Sequence, residues 1–308
     1  MGAETMDRRK RINRLKKYVL ALVAFLLLLP IVLCICMTYR IGKMQEQIEQ
    51  LTEAVDVLSK TKAETVYVAT GEGQSVTGAG SPESEEEAKS ETESGLLKKE
   101  GVRRVYLTFD DGPSSNTEEI LEILDEYGVK ATFFVVGKED EVSKANLLKI
   151  AEAGHTLGMH SYSHVYSEIY ASEEDFMEDY HRIHEYILEN AGVDSNIYRF
   201  PGGTSNSVSK VPMGIFVEHL EEEGVQVFDW NISSKDAGSR RLSAKEIAEN
   251  CLEDIERRDD AIILMHDAAE KDTTVEALPM IIENIMAMPD TVILPITEET
   301  QQVLHIQR

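Results

Sequence analysis

Seven short apolar runs recur between residues 105 and 296, and their spacing limits the folds open to this chain. They are Val105–Phe109, Ala131–Val136, Thr156–Met159, Ile197–Phe200, Gln226–Trp230, Ala261–Met265 and Thr291–Ile296, each of strand length and bounded by turn residues. The stretches between them carry apolar residues at a period near 3.6 and read as about six helices. Helix starts are signalled at Asn116, at Ser172 and by the capping box Ser243-Ala244-Lys245-Glu246. Strands alternating with helices imply parallel βαβ units, either an open doubly wound sheet or a TIM-like barrel. Polar, chemically capable residues cluster at the strand ends. Asp110 and Asp111 follow the first run, His160 the third and Pro201 the fourth, Asp229 and Trp230 close the fifth, and His266 follows the sixth. A barrel gathers functional groups from many strand ends, whereas an open sheet offers one switch point. The sequence therefore predicts an α/β fold, a TIM-like (β/α) barrel of about seven parallel strands over 101–308. No glycine-rich phosphate loop follows the first strand, which argues against a nucleotide ligand.

The first hundred residues read differently. Residues 1–17 hold seven Lys and Arg against two acids, a basic cytoplasmic tail. Residues 18–37 carry no charge, and about 20 apolar residues are what a helix needs to cross a bilayer core. The prediction is a single transmembrane signal-anchor over 18–38, with the N-terminus cytoplasmic by the positive-inside rule and the rest extracellular at the cell membrane. A cleaved signal peptide fits less well, because the run is long and no A-x-A-like site follows it. In 39–62, Ile41, Met44, Ile48, Leu51, Val55 and Leu58 form an a/d seam. Such a seam suits a parallel homodimer through 41–58 or a lone stalk helix. Residues 63–100 are Gly-, Ser- and Glu-rich and read as a flexible acidic linker.

Of the net charge of −25, the segment 101–308 carries −24, from 17 basic and 41 acidic side chains. That balance excludes nucleic acid as the main partner, since phosphate binding needs a basic footprint. The three cysteines, Cys34, Cys36 and Cys251, can build neither a disulfide framework nor a Cys-rich zinc site. A metal here must rest on His, Asp or Glu.

Such a set is present. Asp110 and Asp111 sit at a strand-to-loop corner marked by Gly112-Pro113, and only a bend can bring adjacent side chains to one site. One carboxylate could then ligate while the other stays free as a base. His160 and His164 are i,i+4, on one face if the segment turns helical. Two neutral imidazoles and a carboxylate make a three-ligand set that leaves positions for water and substrate. His155 lies at a helix-to-strand turn and reads as structural. His181, His184, His219 and His305 read as surface or packing residues.

The chain resembles the polysaccharide deacetylases of the NodB homology type, the fourth carbohydrate esterase family. The resemblance runs through TFDDGP at 108–113, HSYSH at 160–164, RFPGG at 199–203, FDWN at 228–231 and LMHD at 264–267. It implies a distorted (β/α) barrel and one divalent metal, with peptidoglycan N-acetylglucosamine deacetylation as the nearest activity. It further implies Asp110 as base, Asp111, His160 and His164 as metal ligands, and Arg199 as the residue that orients Asp110. Gly202 would offer its N–H to the oxyanion, Asp229 would orient His266 as general acid, and Pro201 and Leu264 would line the substrate pocket. Zinc suits the His-His-Asp set best, and such ligands also take cobalt, nickel or manganese. The family often has an aromatic residue after Pro201, where this chain has Gly202, so a stacking wall is expected to be lost. Trp230, the only tryptophan, is then the aromatic candidate for a sugar face. The expected partner is an acetylated glycan polymer, peptidoglycan first. The competing readings are a chitooligosaccharide or poly-N-acetylglucosamine deacetylase, an O-acetyl xylan esterase, and a catalytically silent glycan-binding scaffold.

Overall fold

The computed structural model describes residues 101–306. The basic tail, span, heptad stalk and linker expected over 1–100 lie outside the described residues. Among the described residues no helix is long and apolar enough to cross a membrane.

The elements run β1 (Arg103–Asp110), α1 (Thr117–Glu126), β2 (Thr132–Val136), α2 (Glu141–Glu152), β3 (Thr156–Ser161), a single helical turn α3 (Tyr166–Ile169), α4 (Glu173–Ala191) and β4 (Ile197–Tyr198). They continue with α5 (Met213–Glu222), β5 (Gln226–Val227), β6 (Ile232–Ser233), α6 (Ala244–Leu252), β7 (Asp260–His266), α7 (Asp272–Met286) and β8 (Thr291–Ile293). Every ladder is parallel, in the order β5-β4-β3-β2-β1-β7-β6, and β8 joins the start of β1.

β5 and β6 lie at opposite ends of that order, yet only residues 228–231 separate them. A residue spans at most about 3.3–3.6 Å of chain, so the two edges must lie close together and the sheet curls round. Phe228 N–H bonds to the Tyr198 carbonyl on one edge, and Asn231 N–H to the Ile262 carbonyl on the other. The expected strand Gln226–Trp230 is thus corrected. Only its first two residues pair as β5, the rest bridges a gap in the barrel wall, and β6 is an additional strand. The expected runs Ile197–Phe200 and Thr291–Ile296 likewise pair over fewer residues.

The period of two divides β1 between two cores. Val105, Leu107 and Phe109 join the large core between sheet and helices. Tyr106 joins Phe134, Ile197, Phe228, Ile262, Leu294 and Ile296 in a smaller one enclosed by the sheet. Thr108 and Asp110 share the parity of Tyr106, so the first catalytic candidate enters from the barrel's inner face. Ser172 caps α4 through Asp175 N–H, and Ser243 and Glu246 form the expected capping box on α6. Asn116 does not cap α1. Its amide instead donates to the Ala268 carbonyl at 2.7 Å, tying the loop after β1 to the loop after β7.

Candidate active site

Asp111 adopts φ +72, a left-handed conformation that L-residues other than Asn and Asp seldom take. That bend turns two adjacent carboxylates toward one place, as the Asp-Asp pair requires. Asp111 Oδ1 is buried and accepts no hydrogen bond, yet it lies 3.5 Å from His160 Nε2 and 3.2 Å from His164 Nε2. His160 Nδ1 is 2.6 Å from the Arg199 carbonyl. A carbonyl only accepts, so Nδ1 carries a proton; in the neutral ring that leaves Nε2 as the lone-pair nitrogen, the orientation a metal ligand needs. Burial, and then the neighbouring His160, hold the His164 imidazole below its ordinary pKa and hence neutral. All three ligand atoms lie within 4.8 Å of one another. An orphaned carboxylate oxygen facing two imidazole lone pairs fits a divalent cation. The two imidazoles meet without the helical turn that would put i,i+4 side chains on one face. β3 runs through Ser161, and His164 returns through a left-handed turn at φ +53.

Asp110 stands beside this set, its Oδ2 3.9 Å from His160 Nε2. Arg199, fully buried, holds its other oxygen at 2.8 Å. The guanidinium is itself pinned by the Phe228 carbonyl at 2.9 Å, Thr108 Oγ1 at 2.7 Å and the Asp229 carbonyl at 3.2 Å. Its carbon lies 4.1 Å above the Phe134 ring centroid. Across the sheet, β1 and β7 pair Asp110 with His266 in register, so a carboxylate and an imidazole end adjacent strands. Leu264, two residues before His266 and nearly buried, shares its face.

The partner of His266 is Asp236, not Asp229. Asp236 Oδ1 lies 2.7 Å from His266 Nδ1, while Oδ2 accepts from the His266 N–H and the Thr274 hydroxyl. Burial works against the imidazolium, but the hydrogen bond and charge of Asp236 prevail and raise His266 to about 9. Asp229 accepts instead from Thr204 N–H at 2.9 Å, from the Thr204 hydroxyl, and from His305 N–H at 2.7 Å. It ties the Gly202–Thr204 loop to the C-terminal segment because it lies on the bridge between β5 and β6, away from His266. Ser233 is in register with Leu264 and Ser234 N–H bonds the Leu264 carbonyl, so the chain leaving β6 runs beside the end of β7 and brings Asp236 to His266.

Gly202 has φ +79, and its N–H makes no hydrogen bond to the described residues, which leaves it free as a donor. Pro201 is buried, and its carbonyl accepts from Tyr170 at 2.8 Å. Trp230 is half-buried. His305, exposed, packs edge-on against its ring at 4.9 Å and bonds its carbonyl at 2.6 Å, in keeping with a surface or packing role. An aromatic side chain does stand beside Gly202, contributed by α3. The Tyr166 ring is 5.7 Å from that of His164, and its hydroxyl would be 3.1 Å from a Cβ placed on Gly202. Asp267, the last residue of the LMHD motif, has a role the sequence does not show. It accepts from Ser114 and Thr117 and holds the loop after β1, while Lys138 bonds the Asp111 and Pro113 carbonyls from the other side.

Comparison with known proteins gives a consistent picture. The family model "Polysaccharide deacetylase" matches residues 98–211. A peptidoglycan-N-acetylglucosamine deacetylase of Bacillus cereus is 30% identical over 191 residues, covering 58% of this chain and 64% of that protein. A bifunctional xylanase/deacetylase of Pseudobutyrivibrio xylanivorans is 34% identical over 184 residues, covering 59% of this chain and 28% of that protein. The crystal structure of the catalytic domain of a peptidoglycan N-acetylglucosamine deacetylase from Eubacterium rectale superposes with a TM-score of 0.64 at 35% identity, covering 68% of this chain and 94% of that one. The chain thus spans less than two thirds of the curated relatives it matches here.

Proposed function

The chain belongs to the polysaccharide deacetylase family, and from that premise we propose that it removes N-acetyl groups from N-acetylglucosamine units of an extracellular glycan, peptidoglycan first, with the help of a divalent metal. One observation carries the reading: an Arg-held carboxylate, an imidazole raised to about 9 and a three-donor set meet at the C-terminal ends of β1, β3 and β7.

Asp111, His160 and His164 would hold the ion, zinc in the first place. When bound it supplies Lewis acidity, polarising the acetyl carbonyl and making water a better acid. Asp110, its orientation fixed by Arg199, accepts the proton of the attacking water. The free Gly202 N–H donates to the oxyanion that develops; a donor of this kind contributes roughly 2.7–4 kcal/mol in comparable sites. The sugar amine leaves only if protonated, and His266, kept cationic by Asp236, delivers that proton. Leu264 and Pro201 close the acetyl side, and Tyr166 and Trp230 are the aromatic faces within reach of a sugar.

The likeness to a xylanase/deacetylase favours a second reading, release of O-acetyl groups. Acetate release measured side by side on N-acetylglucosamine oligomers and acetylated xylan separates the two. The first reading predicts release from the oligomers and none from xylan, and the reverse supports the second.

The sequence of 1–100 supports a tether that places the head outside the cell, anchored by 18–38 and paired or single through 41–58. Deleting residues 1–38 is expected to move the protein out of the membrane fraction. A deletion variant that stays there contradicts the tether.

A further inference from the structure

Asp179 reaches from α4 into the turn that follows β3, and the chemistry above makes no use of it. Its carboxylate is 7% exposed and accepts from three donors. The Ser161 hydroxyl and Tyr162 N–H both donate to Oδ2 at 2.8 Å, and Ser163 N–H donates to Oδ1 at 2.9 Å. The Ser161 oxygen in turn accepts from His164 N–H at 2.8 Å. Three successive backbone N–H groups are therefore organised by one carboxylate, two directly and one through Ser161. Successive N–H groups converging on an anion form a nest that winds the chain tightly. Without the anion these donors would face one another, largely out of water, at the cost of unmade hydrogen bonds.

The winding matters because of the residues at its two ends. His160 enters the turn from β3, and His164 leaves it at φ +53, a conformation that costs an L-residue about 1–2 kcal/mol. That reversal brings the two rings to 5.2 Å, centroid to centroid, and both Nε2 atoms to the same Asp111 oxygen. A continued strand, rising about 3.3 Å per residue, would carry them apart. The carboxylate is also fixed from behind. Phe176, Tyr180 and Ile183 of α4 are buried, and the Phe176 ring packs 4.6 Å from Phe216 and 5.4 Å from Phe200.

We propose that Asp179 is the positioning residue of the metal site. By holding the Ser161–His164 turn it sets the separation of the two imidazoles, and with it the affinity for the ion. The inference rests on the reading of Asp111, His160 and His164 as ligands. Asp179→Asn keeps the volume and one acceptor but turns an NH₂ toward N–H donors, so it breaks the nest without opening a cavity. Ser161→Ala removes only the link to His164. Groups that orient metal ligands from behind typically contribute 10–100-fold in affinity.

The test is a cobalt(II) titration of the full-length chain after chelator treatment. Visible absorption gives the Kd, and thermal melts of the metal-free proteins report folding. Asp179→Asn is expected to weaken cobalt about 10–100-fold, with Ser161→Ala weakening it in the same direction. Glu178→Gln, an exposed neighbour of equal charge with no hydrogen bond to the turn, should bind as wild type does. If Asp179→Asn fails to fold, Ser161→Ala decides. Folded variants with wild-type Kd values overturn the proposal. A wild-type chain that takes up no cobalt overturns the ligand reading itself, a result distinct from the first.

Discussion

His266 and His155 show two opposite fates for an imidazole largely withdrawn from solvent. Asp236 keeps His266 charged against burial, up to about 9, so the acid form survives well past neutrality. The alkaline limb of kcat is therefore predicted near pH 9. In Asp236→Asn it should fall toward the ordinary histidine range near 6.5, with a large loss of kcat at pH 8; an unmoved limb would contradict the assignment. Because the folded value exceeds the unfolded one, this pair stabilises fully below about 6.5 and less as pH rises through about 9. His155 goes the other way. Its Nδ1 accepts from Ala131 N–H at 3.1 Å, and burial, then Lys130, lower it to about 4. Protonation favours the unfolded chain, so stability is lost as pH falls from about 6.5 toward 4. His155→Gln should show a smaller drop in Tm over that window than wild type does. The structural role of His155 was legible from its place between helix and strand. Asp236 was not, because nothing in a linear motif says which of two nearby acids the chain folds back to histidine.

The loop between β1 and α1 shows what an element demands of its residues. A Cβ on Gly112 would lie 2.5 Å from Asp267 Oδ2, and that carboxylate cannot swing away because Ser114 and Thr117 hold it. Gly112→Ala is predicted to cost about 1–3 kcal/mol, as overpacking does, and to reduce activity by shifting Asp111. A variant with unchanged Tm and unchanged cobalt affinity would show that the loop is softer than its hydrogen bonds suggest. The long strands and helices were readable from periodicity, since burial on one or both faces leaves a pattern. The two-residue strands β5 and β6 were not, because they are defined by the neighbours they meet. The i,i+4 histidines meet by a route their spacing does not show: it fits a helix, whereas the chain around Asp179 winds a left-handed turn at His164.

At the scale of the molecule, the head carries almost all of the −25 charge, while the proposed deacetylation would make cationic amines. An acidic surface would retain such products, so binding of glucosamine oligomers should weaken with salt as screening grows. Affinity that ignores ionic strength would leave the acidity a matter of solubility alone. The barrel class was legible because its functional groups crowd the strand ends. The gap in its wall was hidden, since it depends on 228–231 spanning two edges. Metal-assisted N-deacetylation with Asp110 as base is tested most directly by mass spectrometry of chitooligosaccharides and muropeptides after incubation with the zinc-loaded protein. Loss of acetyl groups is predicted, abolished by chelator and by Asp110→Asn. Acetyl loss that persists in either case, or no acetyl loss from any N-acetylglucosamine polymer, would contradict it.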